Sequence, residues 1–274
     1  MGNLYLVATP IGNLEDISQR ALRLLRQVNL IAAEDTRQTR KLLAHFDIHT
    51  PLTSYFEHNK LGKIEQILAA LERGDVALVS DAGTPGLNDP GFELVRSALA
   101  AGFTVSPVPG PSAPIAALVA SGLPTDAFLY LGYLPRKSSE RQQMLREVAE
   151  LPYTLIFLET PHRLQAALDD LLAMLGDRQI AVARELTKVH EEIWRGTLSG
   201  ALEYFKLREP RGEFSLVITG KPPEISQWEI TRVMDALETE LARGASPSQA
   251  ASRVASQSGW QRRELYKLLT DNNS

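Results

Sequence analysis

The sequence has no cysteine. That excludes disulfides, a thiolate nucleophile and a cysteine-ligated zinc, and it fits a reducing compartment such as the cytoplasm. No apolar run approaches the ~18 residues that a membrane span needs, and the opening stretch MGNLYLVATP lacks the layout of a secretion signal. A cytoplasmic chain with no membrane partner is therefore expected. Positive charge is not in excess either. The formal net charge is −4, so any nucleic-acid surface has to be a local patch. Neither G-x-x-x-x-G-K-[ST] nor G-x-G-x-x-G occurs, which removes the usual cradles for a nucleoside triphosphate and for a dinucleotide. Internal repeats and low-complexity tracts are also missing.

What is there suits a soluble α/β protein. The chain has 274 residues, of which 44% are hydrophobic and 23% charged, enough for about two domains with sizeable cores. Strand-like runs alternate with amphipathic stretches: Leu4–Ala8, then a helix opened by Asp16 with Gln19 as its capping-box partner, then Leu30–Glu34, and so on. That alternation predicts a parallel-rich sheet covered by helices. Leu123–Asp126 marks a boundary, after which a second alternating unit begins. Domains are thus expected at 1–122 and 123–220. Lys221–Ser226, KPPEIS, reads as a linker. Beyond it, residues 226–274 carry three short helices. The second is announced by Ser246, Pro247 and Gln249, and Gly259 precedes a basic third one, the pattern of a helix-turn-helix-like module.

Polar, turn-rich loops follow several strands. The most loaded is SDAGTPGLNDPG, Ser80–Gly91, with three glycines, two prolines and two aspartates. Asp89 and Pro90 predict the start of the next helix. Loops at the carboxyl ends of parallel strands are where open α/β sheets bind ligands, and glycine lets backbone groups approach a ligand closely.

Six stretches in this order, YLVATPIGNLEDI, AAEDTR, VSDAGTPGLNDPG, PVPGPSA, GYLPRK and ARELTK, give the chain its likeness over residues 3–220. It resembles the family of ribosomal RNA small subunit methyltransferase I. The resemblance implies a two-domain tetrapyrrole methylase-like (class III methyltransferase) α/β fold, plus the small C-terminal helical module. It implies S-adenosyl-L-methionine as cofactor and 2′-O-methylation of a cytidine ribose in the decoding centre of 16S rRNA. The partner would be 16S rRNA or the 30S subunit, and the oligomer a homodimer. Cofactor contacts would come from Pro10, Ser80, Asp81, Ala82, Gly83, Leu87, Ser112, Ala113, Leu158, Glu159, Leu186 and Glu213. Gly86 departs from the pattern, since a bulky aliphatic residue is expected after GTP. A small-molecule methyltransferase of the tetrapyrrole type and a non-catalytic RNA-binding assembly factor are the alternatives.

A protonated ribose hydroxyl is a poor nucleophile, so a neighbouring base should take its proton. Glu34, Asp35 and Arg37 in EDTR are the candidate catalytic residues. On an extended backbone Glu34 and Asp35 point to opposite sides, and Asp35 is expected to face the cleft. Asp35 or Thr36 would also cap the following helix. Arg40, Lys41, Arg136, Lys137 and Arg141, with Arg37, are candidate phosphate ligands, as are Arg262, Arg263 and Lys267 in the tail. His45 and His49 have a helical chelating spacing without a third ligand, so no metal is expected. His162 either touches ligand or caps a helix, and Trp194, Trp228 and Trp260 read as packing.

Overall fold

The computed structural model describes residues 2–56, 60–208, 210–222 and 227–271. It divides into two compact units, Met1–Lys221 and Pro222–Ser274. Of the expected linker, residues 223–226 lie outside the described residues.

The first sheet of the larger unit contains β1 (Asn3–Val7), β2 (Leu30–Ala33), β3 (Leu52–Ser54), β4 (Val76–Val79) and β5 (Thr104–Val108). Its order is β3-β2-β4-β1-β5, and every pairing is parallel. All four residues of β4 are buried, as a central parallel strand covered on both faces requires. The helices α1 (Gln19–Gln27), α2 (Thr36–His45), α3 (Lys60–Arg73) and α4 (Phe92–Ala100) connect these strands. One side of the sheet buries Val7, Leu25, Ile31 and Val79 under α1 and α2. The other buries Leu4, Leu71, Leu78 and Leu94 under α3 and α4.

Two helix starts differ from the expectation. Asp16 and Gln19 do not form a capping box: Ser18 caps α1 and accepts the Ala21 amide, while Asn13 caps a separate 3-10 turn at Leu14–Asp16. A serine close to the apolar stripe outcompetes the more distant aspartate. Likewise Asp89 does not cap α4, which begins at Phe92 behind Gly91. That leaves the Asp89 side chain for another purpose.

The second sheet has order β6-β7-β10-β8-β9, with β6 (Phe128–Tyr133), β7 (Thr154–Glu159), β8 (Gln179–Arg184), β9 (Glu192–Thr197) and β10 (Phe214–Ile218). It is mixed: β6 and β7 run parallel, whereas β10 lies antiparallel between β7 and β8, and β9 is an antiparallel edge. One face packs on α6 (Ser138–Val148), α7 (Leu164–Leu175) and α8 (Leu198–Lys206) through Leu145, Leu168, Phe157 and Phe205. The other face receives α5 (Ala113–Ser121), whose Ala117 and Leu118 bury against Ile156, Ala181, Ala183 and Val217. So a helix entered from the first sheet packs on the second.

Arg141 is not a phosphate ligand. It is buried and paired with Asp170, its Nε donating to Asp170 Oδ2 at 2.7 Å. Ser138 and Gln142 donate to the same carboxylate. Burial would raise the Asp170 carboxyl, but these bonds outweigh it and hold it below the ordinary range.

The smaller unit has its own core. Val233 and Leu237 of α9 (Ile230–Ala242), Ala250, Ala251 and Val254 of α10 (Pro247–Ser258) and Leu265 of α11 (Arg262–Asp271) bury one another. Trp228 and Trp260 pack against them, the Trp260 indole donating to the Trp228 carbonyl at 2.8 Å. Ser246 and Gln249 form a full capping box on α10, and Gly259, at φ 69°, makes the left-handed turn into α11. Among the described residues no helix is long and apolar enough to cross a membrane.

Candidate active site

The carboxyl ends of β1, β2 and β4 carry three loops that lock together. Thr9 and Gly83 exchange backbone hydrogen bonds at 2.9 and 3.0 Å, and the Thr9 hydroxyl donates to the Ser80 carbonyl. The Asp35 amide donates to Asp81 Oδ1 at 2.9 Å, while the Asp81 amide points at Glu34 Oε2, 3.4 Å away. Thr84 ties the same loop to the Pro111 carbonyl. Gly83 and Gly86 have φ of 85° and 81°, a region that L side chains rarely adopt. That accounts for Gly86: a bulky aliphatic residue would be strained there. Gly91 must be small too, because its Cβ would stand 2.9 Å from the Gly86 Cα.

Over these loops lies a cleft with two adjoining compartments. The inner one encloses about 230 Å³ between the Asp81–Asp89 loop, the start of α5 and the second sheet. The outer one, of about 550 Å³, opens between the β1 loop, the first turns of α2 and Lys188. Ile11, Asp81, Ala82 and Glu213 line both, so these four form the border.

The inner compartment is acidic. Burial pushes the Asp89 carboxyl up to about 6, with the charges of Glu34 and Asp81 adding to the shift. Burial likewise raises Glu34 and Asp81 above the ordinary carboxylate range. Carboxylates that resist ionising together favour a cationic ligand. Tyr130 and Tyr133 complete the wall. They are three apart on β6 and would face opposite ways on a regular strand. A bulge shifts the register between Tyr130 and Gly132, pairing Tyr130 with Ile156 and Tyr133 with Leu158. Both rings therefore face the cleft. The Tyr130 hydroxyl donates to Asn88 Oδ1 at 2.5 Å, and burial pushes Tyr130 up to about 12.

Of the expected cofactor contacts, Asp81, Ala82, Gly83, Leu87, Ser112, Ala113, Leu158 and Glu213 line the inner compartment, and Pro10 lines the outer. Three do not line either. Ser80 is buried and donates to the carbonyls of Ala82 and Gly83, shaping the loop from behind. Glu159 alternates away from Leu158, is buried, and accepts from Arg163 at 3.0 Å. Leu186 packs beside Ala183 and Ile193. The EDTR expectation reverses in part: Glu34 lines the cleft, and Asp35 does not. Asp35 caps α2 by accepting the Arg37 amide at 2.8 Å and takes the Arg37 guanidinium as a fork at 3.0 and 2.7 Å. That fork, with the Arg37 amide, holds Asp35 down at about 2.

The cations separate as well. Lys41 lines the outer compartment with Gln38, whereas Arg40 sits over a shallow groove on the far side of α2 with Ile48 and His49. Arg136 and Lys137 are exposed, Lys137 pairing with Glu140 at 3.0 Å. His45 ends α2 and His49 lies past a left-handed Asp47, so the two do not share a helix face. His162 belongs to the 3-10 turn Pro161–Arg163, in a separate hollow with Lys206 and Arg208. In the smaller unit Arg262 donates to Ser248, while Arg263 and Lys267 are exposed on α11.

The sequence reading missed Glu34's orientation, Asn88, Asp89, Tyr130, Tyr133 and Lys188. Asn88 and Asp89 lie inside the flagged glycine-proline loop, Tyr133 inside GYLPRK and Lys188 inside ARELTK, whereas Tyr130 carried no local signal.

An α/β protein with a ligand cleft at strand ends, roofed by a second sheet, defines a class, and residues 3–201 match the family of Tetrapyrrole (Corrin/Porphyrin) Methylases. The chain is 51% identical to ribosomal RNA small subunit methyltransferase I of Synechocystis sp. over 98% of its own length and 97% of that protein. It is 47% identical to the protein of that name from Halalkalibacterium halodurans, covering 97% and 94%. For the one from Escherichia coli O157:H7 the identity is 46%, covering 98% and 95%. The chain belongs to the tetrapyrrole methylase family and, within it, to the ribosomal RNA small subunit methyltransferase I family.

Proposed function

We propose that the protein is an S-adenosylmethionine-dependent methyltransferase acting on the 2′-oxygen of a cytidine ribose in the decoding centre of 16S ribosomal RNA. The observation that carries this reading is the divided cleft, with an acidic inner compartment bordering an outer one that holds two lysines. The inner donor set suits a cationic cofactor. Four carboxylates, Glu34, Asp81, Asp89 and Glu213, oppose its positive charge. Ser112 Oγ is buried with no hydrogen-bond partner, an orphan that a bound ligand would satisfy. S-adenosylmethionine supplies a methyl group activated on a sulfonium.

The protein's own part is placement and proton removal. Holding the ribose hydroxyl in line at the border is worth several kcal/mol, roughly 7–11 in favourable cases. Asp81 lines both compartments, and one of its oxygens is already engaged by the Asp35 amide. The other, Oδ2, is the oxygen we assign to accept the hydroxyl proton, and burial makes it a better base. Glu34, 3.4 Å from the Asp81 amide, adds negative charge to the inner compartment, and Asp35 with Arg37 fixes the start of α2. Asp81→Asn is expected to lower turnover by about 10²-fold or more, with the fold unchanged by circular dichroism.

Two exposed apolar stripes, Phe92 with Leu99 on α4 and Ile115 with Val119 on α5, support a homodimer. Sedimentation of the native chain and of a Leu99→Asp variant tests it.

The deciding experiment is nuclease mapping with mass spectrometry of 16S RNA from a strain lacking the gene, followed by methyl transfer to its 30S subunits. Restoration of a ribose methyl on one cytidine is expected. Transfer to a porphyrinoid instead would favour the small-molecule reading, and no transfer at all the assembly-factor reading.

A further inference from the structure

Lys188 is held with unusual effort for a lysine near the surface. Two residues of its loop, Glu185 and Thr187, have φ of 50° and 64°, conformations that side-chain-bearing residues keep only when their surroundings enforce them. Glu185 bonds Glu213 from both directions, its amide donating to the Glu213 carbonyl and its Oε1 accepting the Glu213 amide, each at 3.1 Å. The loop also packs against two glycines. A Cβ on Gly12 would stand 2.4 Å from the Lys188 Cγ, and one on Gly212 would stand 2.3 Å from the Glu185 carboxylate. The result is a fixed ammonium in the wall of the outer compartment. Its Nζ donates to Glu185 Oε1 at 2.8 Å and to Glu213 Oε2 at 3.1 Å.

Those two carboxylates differ. Glu185 is four-fifths buried and tied to backbone, so it stays with Lys188. Glu213 is three-quarters exposed and lines both compartments, whereas Lys188 lines only the outer one. A positive charge in the inner compartment competes for Glu213. Once Glu213 turns to it, Lys188 is left half-compensated and facing a space shared with Lys41 and Gln38. A phosphodiester is the anion that space would meet in an RNA substrate.

We propose that Lys188 seats a backbone phosphate of the RNA beside the target ribose, and that Glu213 gates it, so that a cation in the inner compartment strengthens RNA binding. This rests on the functional reading above. Linkage makes the coupling reciprocal: bound RNA must tighten the inner ligand by the same factor.

The test measures binding, not turnover. The affinity of the full chain for 30S subunits from the deletion strain is compared without ligand, with sinefungin, whose amine supplies a positive charge at the sulfonium position, and with uncharged-sulfur S-adenosylhomocysteine. Sinefungin is expected to tighten binding by about fivefold or more, and S-adenosylhomocysteine by less. Lys188→Ala should bind subunits weakly with or without sinefungin, and its salt slope should be shallower by about 0.7, the loss of one single-strand phosphate contact. Its own affinity for sinefungin in the absence of RNA should rise, because Lys188 no longer competes for Glu213. Lys188→Arg should restore binding. Glu213→Gln should bind subunits at the tighter level without any ligand; if Lys188→Ala fails to fold, that variant decides. Unchanged ligand-dependent tightening in Lys188→Ala, or a Glu213→Gln protein that still needs sinefungin, overturns the proposal alone. Failure of the native chain to bind sinefungin overturns the functional reading with it.

Discussion

Asp89 shows how one carboxylate links fold and ligand. It sits among Glu34, Asp81, Tyr130 and Tyr133, and burial lifts its carboxyl to about 6. Its folded pKa is raised above the unfolded carboxylate value. Its contribution to stability is therefore fully present below the unfolded value and is lost as pH rises through about 6. A cationic ligand reverses that preference, because it favours the ionised form. S-adenosylmethionine affinity, measured by calorimetry, should rise between pH 5 and 7, and Asp89→Asn should flatten that rise while increasing the melting temperature of the ligand-free protein at pH 8. Asp170 has the opposite sign. Its lowered carboxyl stabilises the fold above the unfolded carboxylate range, and that contribution is lost as pH falls through its folded value. Arg141→Ala leaves Asp170 buried without its guanidinium, and should cost about 3–5 kcal/mol in chemical denaturation at neutral pH. An Arg141→Ala protein of native stability would return Arg141 to the surface role that its sequence context suggested.

At the scale of elements, the β6 bulge decides what the inner compartment is made of. Gly132 has φ 67°, and a Cβ there would stand 2.3 Å from the Asn88 amide nitrogen. Gly132→Ala should expel the Asn88 side chain, break its bond from Tyr130, and weaken S-adenosylmethionine by about tenfold, about 1.4 kcal/mol. Gly122→Ala is the control: its φ is 80°, but nothing lies within 4 Å. It should cost about 1–2 kcal/mol of backbone strain and leave ligand affinity alone. The same element marks a limit of sequence reading. Continuous apolar runs placed β2, β4, β7 and β8, because those strands are buried on both faces. A bulge breaks the period without changing composition, so Tyr130 and Tyr133 read as opposite faces. β3 is three residues long and β9 is a half-buried edge, EIWRGT, so neither stands out from loop. The glycine-proline loop was legible because its backbone conformation demands those residue types. Glu34 and Lys188 were misread or missed because their roles depend on partners far away in sequence, Asp81 and Glu213.

For the whole molecule, the question is how an acidic protein holds RNA. The inner compartment repels phosphate, and the chain's net charge is −4, so affinity has to come from cations outside that compartment. Lys41 and Lys188 supply two at the cleft. The smaller unit supplies others, but several of its arginines are already spent: Arg243 and Arg253 both bind Glu240, and Arg262 binds Ser248. Arg263 and Lys267 are left exposed on α11, four residues apart and on one face. Because the smaller unit buries its own core and every residue lining the two compartments precedes Lys221, a chain ended after Lys221 should fold and bind S-adenosylmethionine with native affinity. It should lose most of its affinity for 30S subunits. Arg263→Ala with Lys267→Ala in the full chain should lower the salt slope of subunit binding by about 0.7 per lost contact on single-stranded RNA, whereas Arg243→Ala should change it little. Native subunit affinity in the shortened chain would place the whole RNA grip on the cleft lysines, and a shortened chain that does not fold would make the smaller unit a structural part of the larger one.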